Sequence, residues 1–112
     1  MNVHTIQIKP LSVNDCWQGR RFKTDKYKDY EKLVILMLPK QIDVSGPFRI
    51  KIEFGFSNVQ SDIDNPLKPF LDILQKKYSI NDKEVYELIV KKTVVKKGNE
   101  FIRYSISQIK EL

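Results

Sequence analysis

The sequence predicts one small α+β domain over residues 1–112, a mixed β-sheet packed with helices in the order β-α-β-α-β-β. Three observations carry this. Ile50, Ile52, Phe54 and Phe56 alternate with Lys51, Glu53 and Gly55, the period of a strand with one face buried. Leu67, Phe70, Leu71 and Leu74 recur at helical spacing. Lys97-Gly98-Asn99 punctuates two strand-like runs, as a hairpin turn does.

The remaining elements follow in order. His4, Ile6 and Ile8 alternate with Thr5 and Gln7, a first strand that ends by Pro10. Residues 10–25 read as a long polar and basic loop holding Asn14, Trp17 and Gly19, of a length that is either mobile or used. Tyr27, Tyr30, Val34 and Met37 then place a helix over about residues 26–38, closed by Pro39. Pro66 and Pro69 fit only the first turn of the second helix, where backbone N–H groups have no helical acceptor. That helix is expected to start near Asn65, with Asp64 or Asn65 as its cap. Val85 to Val95 reads as a long strand, and Ile102, Tyr104 and Ile106 as the strand returning beside it.

Charge narrows the partners. Twenty Lys and Arg against 14 Asp and Glu give a net charge of +6, which favours an anionic partner such as nucleic acid. The cations are clustered: Arg20, Arg21, Lys23, Lys26 and Lys28 in one segment, Lys91, Lys92, Lys96 and Lys97 in another. Trp17 beside the first cluster suggests a stacking aromatic among phosphate contacts, against the alternative of an indole tucked into the core. The single Cys16 allows no internal disulfide and suits a reducing cytoplasm. The first ten residues lack the apolar core of a signal peptide, and the longest apolar run, Leu33–Leu38, is too short to cross a bilayer, so no membrane partner is expected. No glycine-rich phosphate loop or Cys/His zinc spacing is present; Cys16 has no evident base, and His4 sits on an apolar strand face where packing is the simpler role.

The chemistry concentrates in Ser61-Asp62-Ile63-Asp64-Asn65-Pro66-Leu67-Lys68-Pro69-Phe70-Leu71-Asp72. Asp62 and Asp64 stand two apart in an extended segment, so their side chains can share a face. Asp64 also lies by the positive end of a helix. Lys68 follows about one turn on, and Asp82 opens the next strand-like run; if that strand pairs beside the one ending at Phe56, Asp82 can join the pair. Converging carboxylates repel unless a cation relieves them, and three of them with a lysine make a workable Mg²⁺-dependent phosphodiesterase site. The plainer alternative also stands: Asp62, Asp64 and Asn65 as turn and cap residues, and Lys68 with Asp72 as an ordinary exposed ion pair.

This segment resembles the acidic motif of RusA-type Holliday junction resolvases: Asp62-x-Asp64-Asn65, Lys68 four positions on, and Asp72 on an apolar helix. Asp82 followed by Val85 is similar to the family's later acidic turn, and Pro10, Ser12, Asn14, Trp17, Arg20, Arg21, Lys23 and Tyr30 follow the order of its N-terminal half. The resemblance covers nearly the whole chain. It implies a homodimeric, Mg²⁺- or Mn²⁺-dependent endonuclease that cuts paired strands symmetrically at four-way DNA junctions, in a bacterial cytoplasm and often phage- or prophage-encoded. Asp62, Asp64 and Asp82 would be the metal and catalytic acids, Lys68 the catalytic lysine, and Asp72 with Asn65 supporting residues; Arg20, Arg21, Lys23, Lys26 and Trp17 form the expected DNA-binding surface. The chain departs from the pattern at Gln60-Ser61 before the first acid, at the prolines flanking Lys68, and at Asn81 before the later acid. Two other functions fit the same residues: a branched-DNA-binding protein without cleavage, and a nuclease preferring flaps or other branched DNA.

Overall fold

The computed structural model describes residues 3–20 and 22–110. Six strands and two longer helices follow in order: β1 (His4–Ile6), β2 (Trp17–Gln18), β3 (Phe22–Lys23), α1 (Asp25–Met37), β4 (Phe48–Phe56), α2 (Leu67–Tyr78), β5 (Val85–Val94) and β6 (Phe101–Gln108). The main sheet runs β1-β6-β4-β5. Strand β4 pairs in parallel with β5, from Phe48 opposite Val85 to Phe56 opposite Val94, and antiparallel with β6, which in turn pairs antiparallel with β1. The sheet is therefore mixed, as the element order predicts. A parallel pair needs a crossover, and α2 supplies it.

The alternation read in β4 decides where the core lies. Ile50, Ile52, Phe54 and Phe56 are buried with Ile102 and Tyr104 of β6, against Tyr27, Tyr30 and Val34 of α1 and Phe70, Ile73 and Leu74 of α2. The other face carries Lys51, Glu53 and Arg103, the last two joined at 2.8 Å. Gly55 interrupts this strand for a packing reason: a Cβ there would lie 2.3 Å from the ring of Phe101. His4 lies 5.5 Å from the ring of Tyr104, the packed role its strand position suggests.

Residues 10–25 differ from the expected irregular loop. Ser12 caps a single 3₁₀ turn over Val13–Asp15, its hydroxyl accepting from Asn14 N–H at 3.2 Å. A small antiparallel hairpin, β2 with β3, follows. Gly19, at φ +67°, takes the left-handed turn that closes it and leaves Arg20 exposed at its tip. Two residues of pairing are too few for a periodic sequence signal. Thr24 then caps α1 by accepting from Tyr27 N–H at 3.1 Å. Val34 and Leu38, not Met37, close the buried side of this helix.

Candidate functional site

The acidic segment forms two successive turns between β4 and α2. Asn65 N–H bonds Asp62 C=O at 3.3 Å, and Leu67 N–H bonds Asp64 C=O at 3.1 Å. The helix consequently begins at Leu67, two residues later than its sequence suggests, and Pro66 occupies the cap with no side-chain hydrogen bond. The reason lies in those turns, which hold Asp64 and Asn65 outside the helix. The expected capping role of Asp64 or Asn65 is thus corrected, and with a chemical consequence. Among the described residues, the Asp62 and Asp64 carboxylates make no hydrogen bond or ion pair, and both are exposed. Neither is spent on holding the turn. Asn65 contributes through its backbone instead: its carbonyl accepts from Val13 N–H at 2.8 Å, docking the N-terminal loop on the acidic turn.

Lys68 and Asp72 lie one turn apart on α2 with Nζ and Oδ1 at 2.9 Å. This hydrogen bond, the Asp72 charge and the more distant charge of Asp82 raise the Lys68 pKa and keep it cationic. Asp82 heads a 3₁₀ turn (Asp82–Glu84) capped by Asn81, and it accepts a hydrogen bond from Gln75 of α2. Sequence reasoning does not single out Gln75, although it lies seven residues beyond Lys68, on the same helix face.

The sheet register and α2 together set where Asp82 stands relative to Asp62 and Asp64. Strand β5 does pair with β4, but in parallel, so Val85 lies opposite Phe48 rather than Phe56. Asp82 is held to α2 by Gln75, in the second half of the helix, while Asp62 and Asp64 precede its first turn, which carries Lys68; the Asp82 charge still acts on Lys68. Among the described residues, no three His, Cys, Asp or Glu side chains converge as a metal-holding group. The donor set still fits a hard divalent cation: it is wholly carboxylate, and two members have every lone pair free. Magnesium is commonly held by one or two carboxylates plus substrate phosphates rather than by a complete protein cage.

Basic residues flank this region unequally. Arg20 is exposed and, among the described residues, makes no ion pair; Arg21 lies outside the described residues. Lys26 is 3.8 Å from Asp15 and largely exposed. Lys23 is partly committed to the fold, bonded to Glu31 at 2.9 Å and set over the Tyr27 ring at 5.1 Å. Trp17 takes an intermediate position: it is 41% exposed, with its ring edge-on to Tyr27 at 5.7 Å. Cys16 is fully buried, and burial first, then the charges of Asp15 and Asp72, push its thiol up to about 11, which excludes a thiolate nucleophile at neutral pH.

Comparison with known proteins places these features. The family model described as Endodeoxyribonuclease RusA matches residues 11–103, which spans the docked loop, the acidic turn, α2 and most of the sheet. The chain belongs to this endodeoxyribonuclease family, whose activity is Holliday junction resolution and whose members generally depend on a divalent metal. No curated protein matches the chain. No helix among the described residues is long and apolar enough to cross a membrane.

Proposed function

We propose that this chain is a Mg²⁺-dependent endonuclease that resolves four-way DNA junctions by paired, symmetric phosphodiester cleavage. The observation that carries this reading is the freedom of Asp62 and Asp64: two exposed carboxylates with no structural bond, at the start of a helix whose first turn carries a cationic lysine. In this reading Asp62 and Asp64 are the residues that would hold the ion, with Asp82, now bonded to Gln75, as the third acid. A divalent ion there supplies charge neutralisation and a more acidic water. Lys68 offers its ammonium to the scissile phosphate, where charge grows as the bond breaks. Asp72 keeps that ammonium protonated and aimed. Arg20 and Lys26, with Trp17 of the hairpin set edge-on to Tyr27 of α1, contact backbone phosphates and an unstacked base.

Among the described residues there is one such acidic group, whereas resolution needs two cuts on strands related by the junction's two-fold symmetry. A C2 homodimer supplies two. The exposed Leu33, Leu36 and Met37 of α1 offer apolar surface for it. The test is incubation of purified protein with Mg²⁺ and labelled four-way, flap and linear duplex DNA. Symmetric cleavage of the four-way substrate is expected. Preferential flap cleavage would move the assignment to a flap nuclease, and binding without any cut would leave a junction-binding protein.

A further inference from the structure

Sequence groups Lys92 with a run of cations, but the pleat of β5 separates it from them. Lys91 faces the outer side of the sheet, 4.0 Å from Glu53. Lys92 alternates to the inner side, the side of Val90, which packs on the core. There its Nζ donates to two backbone carbonyls, Val59 O at 2.7 Å and Ser61 O at 2.5 Å, and lies 5.9 Å from the centre of the Phe56 ring. Among the described residues it pairs with no carboxylate.

Those two carbonyls belong to the loop that delivers Asp62. The rest of this loop is tied mainly to itself: Gln60 N–H bonds Asn58 Oδ1 at 2.9 Å, and Ser61 N–H bonds Asn58 C=O at 3.2 Å. Ser57 is fastened to Glu100 at 2.7 Å, but only at the base. Among the described residues, Lys92 makes the one hydrogen-bonded link between residues 59–61 and the sheet. The Ser61 carbonyl shares its peptide plane with the Asp62 N–H, so holding that oxygen fixes the plane from which Asp62 departs. Bonds from an ammonium are stronger than neutral ones, and lysine has donors enough for both carbonyls.

We propose that Lys92 is a positioning residue: its ammonium, seated on the Val59 and Ser61 carbonyls, clamps the acidic loop to β5 and sets where Asp62 is presented. The proposal rests on the functional reading above only for its consequence in cleavage; the clamp itself is a property of the fold.

The test compares Lys92→Met and Lys92→Arg with the natural chain. In Lys92→Met, amide exchange at Gln60 and Ser61 should accelerate about tenfold or more, the scale of removing a charge-assisted hydrogen bond. The cleavage kcat should fall while metal-free junction affinity and its salt slope stay unchanged. Lys92→Arg, which still donates to two carbonyls, should recover most of both. Unchanged exchange in Lys92→Met overturns the proposal. So does weakened junction binding with a shallower salt slope, which would make Lys92 a phosphate-binding residue instead. If no branched DNA is cut by the natural chain, the functional reading fails while the exchange measurement still decides the clamp. Should Lys92→Met not fold, ¹⁵N-lysine spectra of the natural chain decide: protected Lys92 ammonium hydrogens support the clamp, and freely exchanging ones overturn it.

Discussion

The Lys68 ammonium lies 2.9 Å from the Asp72 carboxylate, one turn along α2, and Asp82 adds a second, more distant negative charge. An exposed pair of this kind contributes little to stability. Its effect is on protonation. The folded-state pKa of Lys68 is raised above the unfolded value, so the pair's contribution is present below the unfolded pKa and is lost as pH rises through the folded one. If Lys68 acts as a cation, cleavage should fall along the same alkaline limb. Asp72→Asn removes the first cause of the shift and should move that limb to lower pH without abolishing activity. A pH–rate profile whose alkaline limb is identical in the variant would show that Lys68 protonation does not govern the rate.

Asp62→Asn and Asp64→Asn should leave stability almost untouched, within about 0.5 kcal/mol, because the carboxylates they replace hold nothing in the fold. Cleavage should drop by about a hundredfold or more, the usual scale for removing a charged group from the reacting centre. Metal-free junction binding should persist or tighten as repulsion toward phosphate falls. Asp82→Asn should behave alike in cleavage. Normal turnover in all three would end their assignment as metal and catalytic acids.

Much of this site is legible in the sequence, and the part that is not has a definable cause. The alternation of Ile50, Ile52, Phe54 and Phe56 and the helical spacing of Leu67, Phe70 and Leu74 each report one buried face, so β4 and α2 are readable directly. The acidic motif is read locally, and the freedom of Asp62 and Asp64 accords with it. Strand direction is another matter. Nothing within Val85–Val94 says which way it runs beside β4, yet that choice sets Val85 opposite Phe48 and brings Asp82 to Gln75 of α2. The same limit hides Lys92, whose role depends on which side of the pleat it takes. The hairpin bearing Arg20 escapes periodicity because it pairs only Trp17 with Lys23 and Gln18 with Phe22.

Arg20, at the hairpin tip, and its neighbour in sequence Arg21 should together engage phosphates. Converting both to Gln should weaken junction binding and reduce the magnitude of the slope of log K against log salt by about 0.9 for each phosphate no longer neutralised. Titrations at three or more salt concentrations measure this. An unchanged slope would put the DNA on another surface.

Glu31 sits between two lysines, Lys23 and Lys76, each at 2.9 Å, and its side chain is only 12% exposed. Burial alone would raise its pKa, but the hydrogen bonds and charges of Lys76 and Lys23 outweigh it and hold the carboxyl below the ordinary range. The stability it contributes is therefore present above the unfolded carboxylate pKa and lost as pH falls through the depressed folded value. Glu31→Gln should cost about 1–3 kcal/mol at neutral pH by leaving charged donors without their acceptor. The gap in Tm from the natural chain should narrow below about pH 4. A gap of constant size between pH 7 and pH 3 would show that the carboxylate charge is not what holds β3, α1 and α2 together.

The dimer carries the last expectation. The apolar run Leu33–Leu38 divides on folding: Val34 and Leu38 enter the core, while Leu36 is left 81% exposed, with Leu33 and Met37 partly exposed beside it. Burying such a patch against a second copy removes apolar area from water at about 25 cal/mol per Å². Light scattering should give a mass near twice 13.2 kDa, and Leu36→Glu should shift the protein toward monomer. Mixing the natural chain with excess Asp64→Asn chains, after subunit exchange, should yield heterodimers with one working site. These should nick one strand of a four-way junction and rarely complete resolution. A protein that stays monomeric at micromolar concentration and when bound to the junction would refute paired cleavage by a dimer.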